Sequence, residues 1–65
     1  MDVVFQVLIS GEYQTVSVKK DGIIPPVGAG IEIYSDSEGM WVRERTVAKI
    51  VYSYYYDDLE VFVFL

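Results

Sequence analysis

The sequence predicts a single all-β domain of five antiparallel strands, and three observations predict it. Apolar and polar residues alternate with period two over most of the chain, no stretch carries the 3.6-residue period of a helix, and Gly, Asp and Ser cluster between the alternating runs. With 65 residues there is room for one domain, spanning 1–65, and one small core. A ~60-residue domain buries only about 60% of the surface its unfolded chain exposes, so it usually needs a staple. There is no Cys and no His, hence neither a disulfide nor a structural zinc site. Oligomerisation is the common route left.

Taken in order, residues 2–10 and 13–19 alternate around Ser10-Gly11-Glu12-Tyr13, and Gly11 at the first central position suits a two-residue hairpin turn. That register sets Val7 opposite Val16 and Phe5 opposite Val18. Residues 19–30 follow as a crossing loop, because Pro25 and Pro26 lack a ladder N–H and Gly22, Gly28 and Gly30 permit positive φ. Residues 31–35 make a third strand. Asp36-Ser37-Glu38-Gly39 makes a four-residue turn that places Ile33 opposite Val42, Glu32 opposite Arg43 and Tyr34 opposite Trp41. A long fourth strand, 40–56, turns at Asp57-Asp58 into the fifth, pairing Tyr52 with Val63, Ile50 with Leu65 and Val51 with Phe64.

All three hairpins agree on which parity faces inward. Glu44 is the exception, and a bulge between Glu44 and Thr46 would turn it outward and bend the long strand around a corner. Five antiparallel strands with one long crossing loop give an SH3-like small barrel, in which the first and last strands pair and remove the open edge.

The last strand carries the main functional signal. Leu59, Val61, Val63 and Leu65 form one face, and Phe62 and Phe64 stand on the other, where a half-buried strand is ordinarily polar. The first strand repeats the pattern, with Val3, Phe5, Val7 and Ile9 on one side and Val4 and Leu8 on the other. One small sheet buries one such surface and has little left for the second. Val4, Leu8, Val51, Phe62 and Phe64 are therefore the expected oligomer or partner interface, and a homodimer is the simplest form.

A second candidate lies on the fourth strand. Trp41, Arg43, Arg45 and Lys49 share a parity and, barring the bulge, line one outward face beside Tyr34. An aromatic platform adjoining cations suits a stacked base, a phosphate or an acidic partner loop. The competing reading is a cross-strand charge ladder with Glu32 and Glu60, each pair worth roughly 0.2–1 kcal/mol. In the run Tyr52-Ser53-Tyr54-Tyr55-Tyr56, Tyr52 and Tyr54 are expected to cap the core.

Other chemistry is mostly excluded. Without His or Cys the usual general base and strong nucleophile are missing, so no enzyme is expected. Asp36-Ser37-Glu38-Gly39 lacks the spaced oxygens of a calcium loop, Asp57-Asp58 reads as a solvated hairpin tip, and Gly28-Ala29-Gly30 has no following helix or lysine to make a phosphate loop. No metal or cofactor is expected. A net charge of −5 argues against duplex nucleic acid, and the acids are too interleaved with bases to mimic one. There is no basic leader and no apolar run long enough for a bilayer, so a cytoplasmic protein is expected, away from membranes.

The stretch Ile24-Pro25-Pro26-Val27-Gly28, followed by Ile31-Glu32-Ile33, Trp41-Val42 and the alternating fifth strand, resembles a group of very small SH3-like barrel proteins from bacteriophages and bacteria. The likeness spans roughly the last two-thirds of the chain and rests on turn chemistry and strand alternation. It implies a phage or mobile-element accessory protein, and such barrels include inhibitors of host defence that block a protein or sequester a nucleotide signal. Two functions follow. One is a non-catalytic protein-binding module acting as a homo-oligomer on a host protein; the other is a binder of an anionic nucleotide through Tyr34, Trp41, Arg43, Arg45 and Lys49.

Overall fold

Alternation and turn chemistry cut the chain into β1 (Asp2–Ile9), β2 (Glu12–Lys20), β3 (Gly30–Ser35), β4 (Met40–Thr46), β5 (Lys49–Tyr55) and β6 (Asp58–Phe64), seen in a computed structural model that describes residues 1–65. They form a four-stranded sheet, β2-β1-β6-β5, and a two-stranded sheet, β3-β4. The all-β class is as expected, and no helix is long and apolar enough to cross a membrane. Two expectations need correction. There are six strands, not five, and no barrel closes. The first and last strands do pair, in parallel, but β2 and β5 remain as open edges.

The sixth strand arises because the expected strand over 40–56 breaks at Val47-Ala48. Val47 turns wholly into the core. Its N–H donates to the Ala29 carbonyl at 3.0 Å, and its carbonyl accepts from Gly28 N–H at 2.9 Å. Ala48 N–H then donates to the Phe64 carbonyl at 2.7 Å, which hands the chain to the other sheet. Gly28 sits at φ 91°, a conformation that a side chain would strain, so the glycine is what lets the crossing loop approach Val47. Glu44 bulges as expected, at φ 57°, and is exposed.

Hairpin registers differ from expectation in an instructive way. The β1–β2 turn is Ser10-Gly11, at φ 52° and 83°, closing Ile9 on Glu12. Positive φ at both central residues belongs to the turn whose twist matches a hairpin. Val7 therefore faces Gln14, not Val16. In the β5–β6 hairpin Tyr55 pairs with Asp58, so Tyr52 meets Val61, Ile50 meets Val63 and Val51 meets Phe62. Next to each turn the slip is of two residues, which keeps side chains on their expected faces, whereas beyond the β2 bulge the offset falls to one and Ser17 and Val18 exchange faces. The β3–β4 turn is as expected: Tyr34 pairs with Trp41 and Ile33 with Val42, while Gly39 at φ 66° donates its N–H to the Ser35 carbonyl at 2.8 Å.

The core lies between the layers. Val3, Phe5, Val7, Val16, Val61, Val63 and Leu65 from the larger sheet meet Ile33 and Val47, with Ile24, Ala29, Ile31 and Val42 packed at the margin. Each fully buried aliphatic side chain contributes roughly 1.5–3 kcal/mol. A bulge in β2 also brings Ser17 inside, where its hydroxyl is buried without a hydrogen-bond partner.

Candidate functional site

Because successive side chains of a strand alternate, the face of the four-stranded sheet turned away from the core can be laid out from the pairing alone. Across β2, β1, β6 and β5, one row holds Val18, Val4, Phe62 and Val51. The next holds Thr15, Gln6, Phe64 and Lys49, and beyond it Leu8 stands beside Tyr13. All five residues expected at an interface thus share one continuous surface. Leu8 is 45% exposed and Val51 42% exposed, while Val4, at 5%, is buried without joining the core cluster. Its cover comes from Val18 and Phe62 on the neighbouring strands.

The aromatic rings on this face organise one another. Tyr13 meets Phe64 edge-on at 4.8 Å between centroids, and Phe62 stacks on Phe64 at 6.5 Å. Lys49 places its Nζ 4.7 Å from the Phe64 ring centroid. Edge-to-face and offset pairs at these separations are each worth about 0.5–1.5 kcal/mol beyond area burial.

Two members of the face were not expected. Val18 was read as a core residue opposite Phe5, but the β2 bulge sets Phe5 against Ser17 and Val4 against Val18, which leaves Val18 outside. Tyr13, which opens the alternating run 13–19, is not among the five residues expected at the interface. The positive-φ pair Ser10-Gly11 fixes the register that sets it beside Leu8.

The expected cationic strip divides in three. Tyr34 and Trp41 meet edge-on at 5.6 Å, and the Arg43 guanidinium lies 5.0 Å from the Trp41 ring centroid. Arg43 Nη1 also donates to Glu32 Oε2 at 2.9 Å. Arg45 departs from this group: the Glu44 bulge shifts the register so that Arg45 pairs with Ile31, whose side chain packs against the core, and it no longer shares a side with Trp41 and Arg43. Lys49 belongs to the other sheet, over Phe64. The ladder reading holds for Glu32 alone, since Glu60 lies in the larger sheet between Asp2 and Ser53. Tyr52 and Tyr54, expected to cap the core, are mostly exposed because the two-stranded layer does not reach them.

An open depression at one end of the outer face is lined by Asp2, Ser53, Tyr55, Asp57, Asp58 and Glu60 among others, so its electrostatics repel anions. No group of carboxylates is arranged to hold a metal ion. No protein-family model, curated protein or solved structure matches this chain.

Proposed function

We propose that the chain is a non-catalytic protein-binding module that works as a homo-oligomer and docks a target protein on the outer face of the four-stranded sheet. The observation that carries this reading is the single apolar surface of Val4, Leu8, Val51, Phe62 and Phe64, enlarged by Tyr13 and Val18. A small ligand is usually held in a concavity, and the depression at the end of this face is lined by carboxylates that disfavour an anion, whereas the apolar rows suit another protein surface. The nucleotide alternative has less support. Glu32 already holds Arg43 beside Trp41, and its carboxylate would meet any incoming anion.

For the architecture, the finer reading is an opened relative of an SH3-like small barrel: two sheets share one core and the terminal strands pair, with the seam left unjoined. The resemblance to small phage and bacterial barrels supports an accessory protein that inhibits a host defence protein in the cytoplasm. A Cys-free chain has no disulfide to lose there.

The test compares immobilised wild-type chain with Leu8→Asp and Arg43→Glu in a host-cell extract. A specific protein captured by wild type and by Arg43→Glu, and lost with Leu8→Asp, supports the reading. Capture abolished by Arg43→Glu and kept by Leu8→Asp overturns it.

A further inference from the structure

The strand edges of this molecule are not protected alike. An unpaired edge is a template for another strand, and proteins blunt it with bulges, charges, prolines or a covering segment. β2 has a bulge, ends in Lys19-Lys20 and has β3 lying against it. β4 is bent by Glu44 at φ 57° and carries Arg43, Glu44 and Arg45. β5 has none of these devices. It pairs with β6 in unbroken register from Lys49 to Tyr55, contains no Pro, Gly or carboxylate, and has one charge, Lys49, at its start. No strand pairs with its other side. Tyr52 and Tyr54 flank this bare edge at 52% and 71% exposure.

We propose that β5 pairs antiparallel with β5 of a second copy, about a two-fold axis near Tyr52, so that two four-stranded sheets become one of eight strands. The proposal rests on the homo-oligomer of the reading above and gives it an interface separate from the docking face. A two-fold edge contact between identical strands runs antiparallel and self-complementary. Centred on Tyr52, it sets Tyr52 beside its own counterpart and Ile50 beside Tyr54, cross-strand pairs of the kind that stabilise sheets. Tyrosine also suits interfaces, with large area and a polar tip.

Charge selects the same arrangement. In the antiparallel pair Lys49 of each copy comes beside Tyr55 of the other, next to the acidic tip Asp57-Asp58. A parallel pair would set lysine on lysine and acidic tip on acidic tip, in a chain already at −5. The axis stands perpendicular to the sheet, so the outer faces of both copies lie on one side, with Val51 near the seam. The docking surface is doubled by the same contact.

Sedimentation of the full chain at tens of micromolar tests this. The wild type should sediment at twice 7.4 kDa. Tyr52→Lys, which supplies the edge lysine that β5 lacks, should weaken the dimer by at least about tenfold, because the two-fold applies the change twice. Tyr54→Lys, at the more exposed position, should do the same and serves if Tyr52→Lys loses its strand signal. Lys49→Asp should weaken the dimer too, and Lys49→Asp combined with Asp57→Lys and Asp58→Lys should restore it. Leu8→Asp should leave it intact. A monomeric wild type overturns the proposal, as does a dimer that both tyrosine variants leave unchanged. A dimer lost only with Leu8→Asp also overturns it, while leaving the outer face as an interaction surface.

Discussion

Along β6, Val61 and Val63 are wholly buried, while Phe62 and Phe64 point the other way and are half-buried, among each other, Tyr13, Lys49, Val4 and Val51. The residues are neighbours on one strand and comparably apolar. What separates them is the rest of the chain: the crossing loop and the β3-β4 layer bring Ile24, Ala29, Ile33 and Val47 over the inner side, and nothing over the outer. A 65-residue chain supplies one covering layer. The inner face is where the fold buries its core, and the outer face is apolar surface that the chain leaves without a covering layer.

Matched charge insertions break or uphold that comparison. Val63→Asp would bury an unpaired carboxylate among Val3, Phe5 and Val61, so the variant should show no cooperative unfolding transition. Leu8→Asp, with solvent beside it, should change stability by only about 0.5 kcal/mol, read from urea titrations followed by circular dichroism. If the two variants lose stability equally, the faces are not different in kind.

A smaller effect sharpens the contrast from inside. Ser17 is the one inward position whose polar side-chain atom is buried without a partner, and Ser17→Ala removes that cost. The variant should gain about 1 kcal/mol, measured as a higher urea midpoint with an unchanged slope. A loss would mean that the hydroxyl has a partner and that the inner face is less dry than the core geometry implies.

The distribution of what was legible follows the same physics. Period two distinguishes the two sides of a strand, so the shared outward face of Val4, Leu8, Val51, Phe62 and Phe64 could be read from sequence, whereas the parallel sense in which the first and last strands pair could not. Period two is blind to a slip of two residues. The β1–β2 and β5–β6 registers therefore rested on turn geometry, where Ser10 and Tyr56 adopt positive φ that nothing in their residue types demands. The Glu44 bulge was legible as a charge at an inward parity, whereas the β2 bulge was not, since Val16 and Val18 are equally apolar. The break at Val47-Ala48 depends on hydrogen bonds to Gly28 and Ala29, far away in sequence. Once Glu44 bulges and that break is made, Arg45 and Lys49 leave the strip, and only Tyr34, Trp41 and Arg43 stay together.

A comparably small effect is expected in that remaining cluster. Glu32 and Arg43 are both more than half exposed, and an exposed pair is worth about 0.2–1 kcal/mol. Arg43→Glu should lower stability by that much, and Arg43→Glu with Glu32→Arg should recover most of it, the coupling being read in a double-mutant cycle. Zero coupling would mean that Arg43 is held by Trp41 alone and that the cluster stands open to an anion.

Native mass spectrometry of the chain taken from a host extract tests the central claim most directly, because it reports copy number and bound species together. The expected species is a complex of the oligomer with a second protein, which Leu8→Asp reduces to the oligomer alone and Arg43→Glu leaves intact. A small anionic ligand on the wild type, lost with Arg43→Glu and accompanied by no second protein, would contradict it.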